Sequence, residues 1–258
     1  MAPLRLLLDD DDFDDMDFKE LLLKHIAPGL GCIIAFLMFV SPLKAVLQVR
    51  ASKHLGDLNP LPLVAIIANC TAWLLYGCVN ADPYVILANE PGLLLGVFMT
   101  ISCYAFADIK ARDLMLKALL FFTLLISGAG IAIALFVEKD STASLIAGYT
   151  AVFVLLCYYG APLSTLAEVV RCRSSASLHW PISVMNTVNG LLWVAYGTAV
   201  HDMFIAAPNA VGATFGLLQL ALIHCYPPKK AAVGNGAAAS GGAAAAEYEP
   251  LQGGGGTA

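Results

Sequence analysis

The chain has 258 residues, 59% of them hydrophobic and only 13% charged, where a soluble domain carries about 25% charged residues. With a mean hydropathy of +0.76, this composition excludes an ordinary soluble domain and indicates an integral membrane protein. The formal net charge of −5 is local, because seven aspartates crowd between Asp9 and Asp17; no basic patch offers a surface to nucleic acid.

Residues 1–24 form an acidic tail. A cleavable signal starts basic, so none is expected here and the first apolar helix itself directs insertion. Apolar runs follow at about 26–48, 61–80, 84–107, 115–137, 143–167, 178–200 and 203–225. Their length suits membrane-spanning helices rather than the short alternating strands of a barrel. From 229 onward Gly and Ala dominate, a composition that cannot bury a core and predicts disorder. Orientation follows from the short loops. Lys44, Arg50, Lys53, Lys110, Arg112, Lys117, Arg171, Arg173, Lys229 and Lys230 fall on one side, which is therefore cytosolic. The N-terminus is then outside or lumenal and the C-terminus cytosolic. The seven cysteines are odd in number, and most lie in apolar runs as small hydrophobes rather than in a disulfide framework. No Cys-x-x-Cys or His cluster suggests a metal, no cofactor is expected, and no nucleophile–base constellation suggests an enzyme.

The chain is duplicated. Asn69, Trp73, Tyr76, Gly77, Asp82 and Asn89 match Asn189, Trp193, Tyr196, Gly197, Asp202 and Asn209, each at an offset of 120 residues. Gly92 and Gly96 match Gly212 and Gly216, and Ser41-Pro42-Leu43 matches Ala161-Pro162-Leu163, at the same offset. Helices one to three form one copy and helices five to seven the other. A three-helix unit ends on the side opposite its start, so two copies in one orientation need an extra crossing, which helix four supplies. The expected divisions are a first repeat over 25–112, a linker helix over 113–140, a second repeat over 141–228 and a cytosolic tail over 229–258.

The duplicated words resemble the SWEET family of sugar transporters, from about residue 26 to 226. The resemblance implies an all-α membrane protein with seven transmembrane helices in a 3+1+3 plan: two parallel three-helix-bundle repeats joined by an inversion linker helix. These carriers are themselves a type example of parallel repeats about an axis along the membrane normal. It also implies a facilitative, bidirectional sugar uniporter working by alternating access in the lipid bilayer, with the plasma membrane as the expected location. Homo-oligomerisation stays open.

A substrate site in a repeat carrier lies near the midplane, between the repeats. Asn89 and Asn209 offer uncharged amides that both donate and accept, as sugar hydroxyls do. Trp73 and Trp193 offer indole faces for sugar C–H groups. Asn69 and Asn189 lie one turn before the tryptophans, on the same helix face; by resemblance they line the pocket, as do Met38 and Tyr158. The bulk of these side chains implies a monosaccharide such as glucose or galactose rather than sucrose. Pro42, Pro62, Pro162 and Pro181 match the family's inner hinge and gate, with Pro181 standing 119 rather than 120 residues from Pro62. Tyr76, Tyr196 and Asp202 match its outer gate. Glu90 has no acidic counterpart, since Ala210 stands there; it is either a hydrated residue near the outer face or a coupling site. The competing readings are a PQ-loop amino-acid transporter, against which Leu43 and Leu163 follow the prolines where Gln is required, and a seven-helix receptor, which needs no duplication.

Overall fold

The computed structural model describes residues 17–56 and 58–228, with the side chains of 159–162 left aside. Most of the acidic tail and the whole tail from 229 lie outside the described residues. All regular structure among the described residues is helical.

Helix starts at Phe18, several residues before the expected end of the acidic tail. A short α1 (Phe18–Leu21) passes through a π-helical turn (Leu22–Ile26) into α2 (Ala27–Val40). Glu20 and Lys24, one turn apart, pair across this start, a spacing that supports a helix face. Pro42 then interrupts the run. It has no N–H to offer the Met38 carbonyl four residues back. The Ser41 hydroxyl donates to that carbonyl instead, at 2.8 Å, and the chain resumes as α3 (Leu43–Ser52). The repeat closes with α4 (Leu61–Val79) and α5 (Pro83–Tyr104).

The linker helix is α6 (Ile109–Phe136), and the second repeat comprises α7 (Asp140–Cys172), α8 (Trp180–Ala199) and α9 (Met203–Cys225). In α6 only Met115 and Ile126 are buried, while Leu120, Leu124, Ile131 and Leu135 are exposed, as suits a peripheral helix facing lipid. Pro162 falls inside α7, which continues past it without the interruption seen at Pro42; its side chain lies outside the described residues.

Among the described residues six helices are long and apolar enough to cross a membrane, the first being Phe18–Ser52 taken whole. The seventh run, α8, is not among them, because Ser183, Asn186, Thr187 and Asn189 dilute its apolar character. Pro62 and Pro181 are each the second residue of their helix, α4 and α8. Proline costs nothing there, since first-turn N–H groups have no intrahelical acceptor. The offset of 119 therefore has a simple origin: α8 starts one residue early relative to α4, and the two end in register at Val79 and Ala199.

The two ends of the bundle differ. At what is here termed the tyrosine end, Trp73, Tyr76, Ala147, Ala151, Trp193, Tyr196 and Ile205 form one buried cluster that joins the repeats. Toward the proline end the first repeat has its own core of Val46, Leu63, Ile66, Cys70, Met99 and Cys103. The repeats meet where α2 packs on α8 and α4 on α7, a pseudo-symmetric pair of contacts. Within the second repeat α8 and α9 approach at backbone distance. A Cβ on Gly190 would stand 2.9 Å from the Asn209 carbonyl oxygen, and one on Gly216 would collide with Thr187 Oγ1.

Candidate functional site: a cavity between the repeats

Each repeat turns its second helix into its third through the same short hairpin. The Asp82 N–H donates to the Gly77 carbonyl at 2.9 Å, and the Asp202 N–H to the Gly197 carbonyl at 2.7 Å. Ala81 and His201, just before the aspartates, take left-handed backbone with φ of 52° and 57°. That conformation costs a non-glycine residue on the order of 1 kcal/mol. Gly197 is required by contact, since a Cβ there would lie 2.7 Å from the Ala206 nitrogen.

The aspartates then cap the third helices. Asp82 Oδ1 accepts from the Tyr84 and Val85 N–H groups at 2.9 and 3.0 Å. Asp202 Oδ1 accepts from Phe204 and Ile205 at 2.9 and 3.2 Å. The second oxygen of each carboxylate reaches across to the other repeat. The Tyr76 hydroxyl donates to Asp202 Oδ2 at 2.6 Å, and the Tyr196 hydroxyl to Asp82 Oδ2 at 2.9 Å. Both tyrosines pack edge-on against their tryptophans, Tyr76 on Trp73 at 5.7 Å and Tyr196 on Trp193 at 5.9 Å between ring centroids. The tyrosine end is thus latched by two reciprocal hydrogen bonds over an aromatic floor. Burial raises the Asp82 carboxyl above its ordinary value, against the lowering pull of the Val85 N–H and the Tyr196 hydroxyl.

Below this floor, between the repeats, lies a cavity of ≈ 270 Å³. Met38, Asn69, Trp73, Asn89, Tyr158, Asn189, Trp193 and Asn209, all eight of the residues expected around a substrate, line it together. Asn89 and Asn209 each donate one amide N–H to the carbonyl a turn back, Val85 at 2.9 Å and Ile205 at 2.8 Å. Each keeps a second N–H and its carbonyl oxygen for the cavity. The Oδ1 atoms of Asn69 and Asn189 are buried with no hydrogen-bond partner. A buried acceptor left unpaired costs about 1–3 kcal/mol, and the two residues that carry these atoms line the cavity from opposite repeats. Trp193 is held by the other repeat: a Cβ on Gly31 would lie 2.9 Å from the indole Nε1.

Tyr76, Tyr196 and Asp202 do not line the cavity, and neither do Pro42, Pro62 and Pro181; Tyr76 and Tyr196 adjoin it through Trp73 and Trp193, which do. Glu90 is exposed and is not among the residues that line the cavity. No group of three or more His, Cys, Asp or Glu that could hold a metal exists among the described residues. Three residues join the site that the sequence reading left out. Asp82 completes the second latch, and its offset of 120 from Asp202 was the available signal. Asn186 and Gln219 line the cavity on the second repeat alone.

The chain is similar to known proteins over most of its length. A family model described as "Sugar efflux transporter for intercellular exchange" matches residues 27–111 and 145–231. The chain is 30% identical over 209 residues to "Bidirectional sugar transporter SWEET7b" of Oryza sativa subsp. japonica, covering 80% of this chain and 78% of the relative. It is 29% identical over 177 residues to "Sugar transporter SWEET1" of Drosophila pseudoobscura pseudoobscura, covering 69% and 78%. It is 28% identical over 198 residues to "Bidirectional sugar transporter SWEET11" of Arabidopsis thaliana, covering 76% and 68%. A solved structure of a eukaryotic SWEET transporter superposes with a TM-score of 0.74 at 23% identity, covering 81% of this chain and 99% of the other.

Proposed function

This chain belongs to the SWEET family, and from that premise we propose that it is a facilitative, bidirectional sugar carrier specific for monosaccharides such as glucose or galactose. The family consists of transporters rather than enzymes, and the apolar helices make this an integral membrane protein. The plasma membrane is its proposed place, with the tyrosine end outside and the proline end cytosolic.

One observation carries the reading. Asn69 and Asn189 line one neutral cavity from opposite repeats, and each carries a buried amide oxygen with no hydrogen-bond partner among the described residues. Hydroxyl groups of a sugar supply the missing donors, and the free N–H groups of Asn89 and Asn209 supply donors in return. Size supports one ring rather than two, since ≈ 270 Å³ falls just below the roughly 300–1,000 Å³ of ordinary ligand pockets.

The mechanism follows from the latches. With the Tyr76–Asp202 and Tyr196–Asp82 bonds made, the cavity is closed to the outside. Breaking both lets the repeats rock about the α2–α8 and α4–α7 contacts while the interruption at Pro42 allows the inner end to close. Among the described residues no charged side chain lines the cavity, which supports movement of the sugar down its own gradient.

The test is uptake and efflux of radiolabelled glucose and sucrose in transport-deficient cells. Glucose should move both ways and sucrose neither. Replacing Asn69 and Asn189 by Ser and Met38 and Tyr158 by Val should admit sucrose with some loss of glucose transport. Transport of neither sugar by the wild type refutes the sugar reading; transport of both refutes the size argument.

A further inference from the structure

The cavity is less symmetric than the sequence repeat. Toward the proline end its first-repeat wall is apolar: Ile66 lines it, backed by Leu63 and Met99. At an offset of 120 the second repeat has Asn186 for Ile66, Ser183 for Leu63 and Gln219 for Met99. Three buried hydrophobic positions in one repeat are thus hydroxyl- or amide-bearing in the other. Asn186 and Gln219 line the cavity.

Their polar groups are arranged for use. The shorter of the two bonds open to the buried Ser183 hydroxyl runs to Gln219 Oε1, at 2.9 Å. The longer runs to the His179 carbonyl, at 3.2 Å. With its oxygen so engaged, the Gln219 amide is turned to present its two N–H donors. Asn186 has no protein partner among the described residues. It stands three residues before Asn189 on the same face of α8, about 4.5 Å along the axis, and Ser183 stands a further such step down. Asn189, Asn186 and the Ser183-held Gln219 therefore form a descending series of amides from the central level toward the proline end, all on one wall.

We propose that Asn186 and Gln219 form a second hydroxyl-binding subsite, between the central amides and the proline end, through which a neutral polyhydroxylated ligand passes on the second-repeat wall only. Ser183 is a positioning residue that acts through Gln219. The inference rests on the sugar-carrier reading above. A sugar approaching from the cytosol meets this subsite first, whereas one approaching from outside meets the central amides first. The apparent affinity on the cytosolic side therefore depends on Asn186 and Gln219 more than the affinity on the outer side does.

The test compares zero-trans efflux and influx of glucose at measured surface expression. In Gln219→Met, which installs the first repeat's residue, and in Asn186→Leu, the efflux KM should rise about two- to twelvefold, the worth of one neutral hydrogen bond. The influx KM should move less. An uncoupled carrier must keep Vmax/KM equal in the two directions, so the effect is read in the ratio of the KM values, which a loss of active protein alone does not change, and in analogue competition, which reports binding from each side. Ser183→Ala should move the same ratio by a smaller factor. Wild-type protein supplies an arm that needs no variant to fold. Singly deoxygenated glucose analogues should compete unequally from the two sides, with at least one hydroxyl counting more on the cytosolic side. Equal penalties from both sides for every analogue, or an unchanged KM ratio in a surface-expressed Gln219→Met, overturns the proposal. Absence of any sugar transport by the wild type instead overturns the carrier reading itself.

Discussion

Removing the two tyrosine hydroxyls should open the tyrosine end without disturbing what packs there. In Tyr76→Phe with Tyr196→Phe, both rings remain against Trp73 and Trp193, so the edge-on contacts at 5.7 and 5.9 Å survive. What is lost is a pair of hydrogen bonds to carboxylate oxygens, at 2.6 and 2.9 Å. A bond to a charged group contributes about 1.5–3 kcal/mol. Asp82 and Asp202 are only partly buried, so water replaces some of each loss and the lower figure applies. The bonds use separate carboxylates, so their losses add to about 3 kcal/mol. That shifts the balance from the latched to the open state by roughly 150-fold. The reporter is Ala88→Cys, at a cavity-lining position that is 5% exposed. An impermeant thiol reagent applied from the tyrosine side reacts in proportion to the open fraction. The double variant should react up to roughly 150-fold faster than the latched background, and each single variant by about the square root of that factor. A rate within twofold of the background would show that the aromatic packing, not the hydroxyls, holds this end shut.

Asn89→Ala or Asn209→Ala should reduce glucose uptake by at least about tenfold at unchanged surface expression; normal uptake in both would remove these amides from the site. Transport should not respond to an imposed pH gradient in proteoliposomes, and Glu90→Gln should behave as wild type, since Glu90 does not line the cavity; gradient-driven accumulation lost in that variant would contradict this. Asp82→Asn should raise the melting temperature of the purified protein at neutral pH. Burial raises the folded-state value of this carboxyl, so its favourable contribution is complete only below the ordinary value of about 3.9 and is lost as pH rises through the raised one. Asn still caps the helix through its one oxygen, and its NH2 group donates to the Tyr196 hydroxyl where the second carboxylate oxygen accepted from it. The gain should shrink toward acid pH, and a lower melting temperature at pH 7 would show that the charge stabilises.

Symmetry made much of this molecule legible and concealed the rest. A single offset held without insertion from Pro42 to Gly96 specified two equal bundles, and the matched Asn and Trp pairs marked the central cavity because paired polar residues are conspicuous in apolar spans. The same reliance on pairs hid Asn186 and Gln219, whose counterparts Ile66 and Met99 are ordinary core residues. Asp82 was overlooked for a different reason: a helix-capping aspartate at a turn has a sufficient local role, and its match to Asp202 at the offset of 120 was the one sign of a second. The α8 start, one residue early, was visible as the shifted Pro181 but had no cause until both prolines were seen at the second position of their helices. The start at Phe18 was obscured by the aspartates before it.

The divided use of Asp82 and Asp202 has a consequence for how this protein tolerates change. One oxygen of each fixes the start of a helix and the other fastens the repeats, so replacing the whole side chain by an apolar one damages folding and closure at once. A survey of variants scored by abundance would class both aspartates as fold residues and never register their part in closure. The tyrosines opposite carry no such second duty, and phenylalanine in their place would pass an abundance screen while leaving the carrier ajar. Variants of normal abundance and altered sidedness should therefore collect at Tyr76 and Tyr196, whereas loss of protein should collect at the residues they bond.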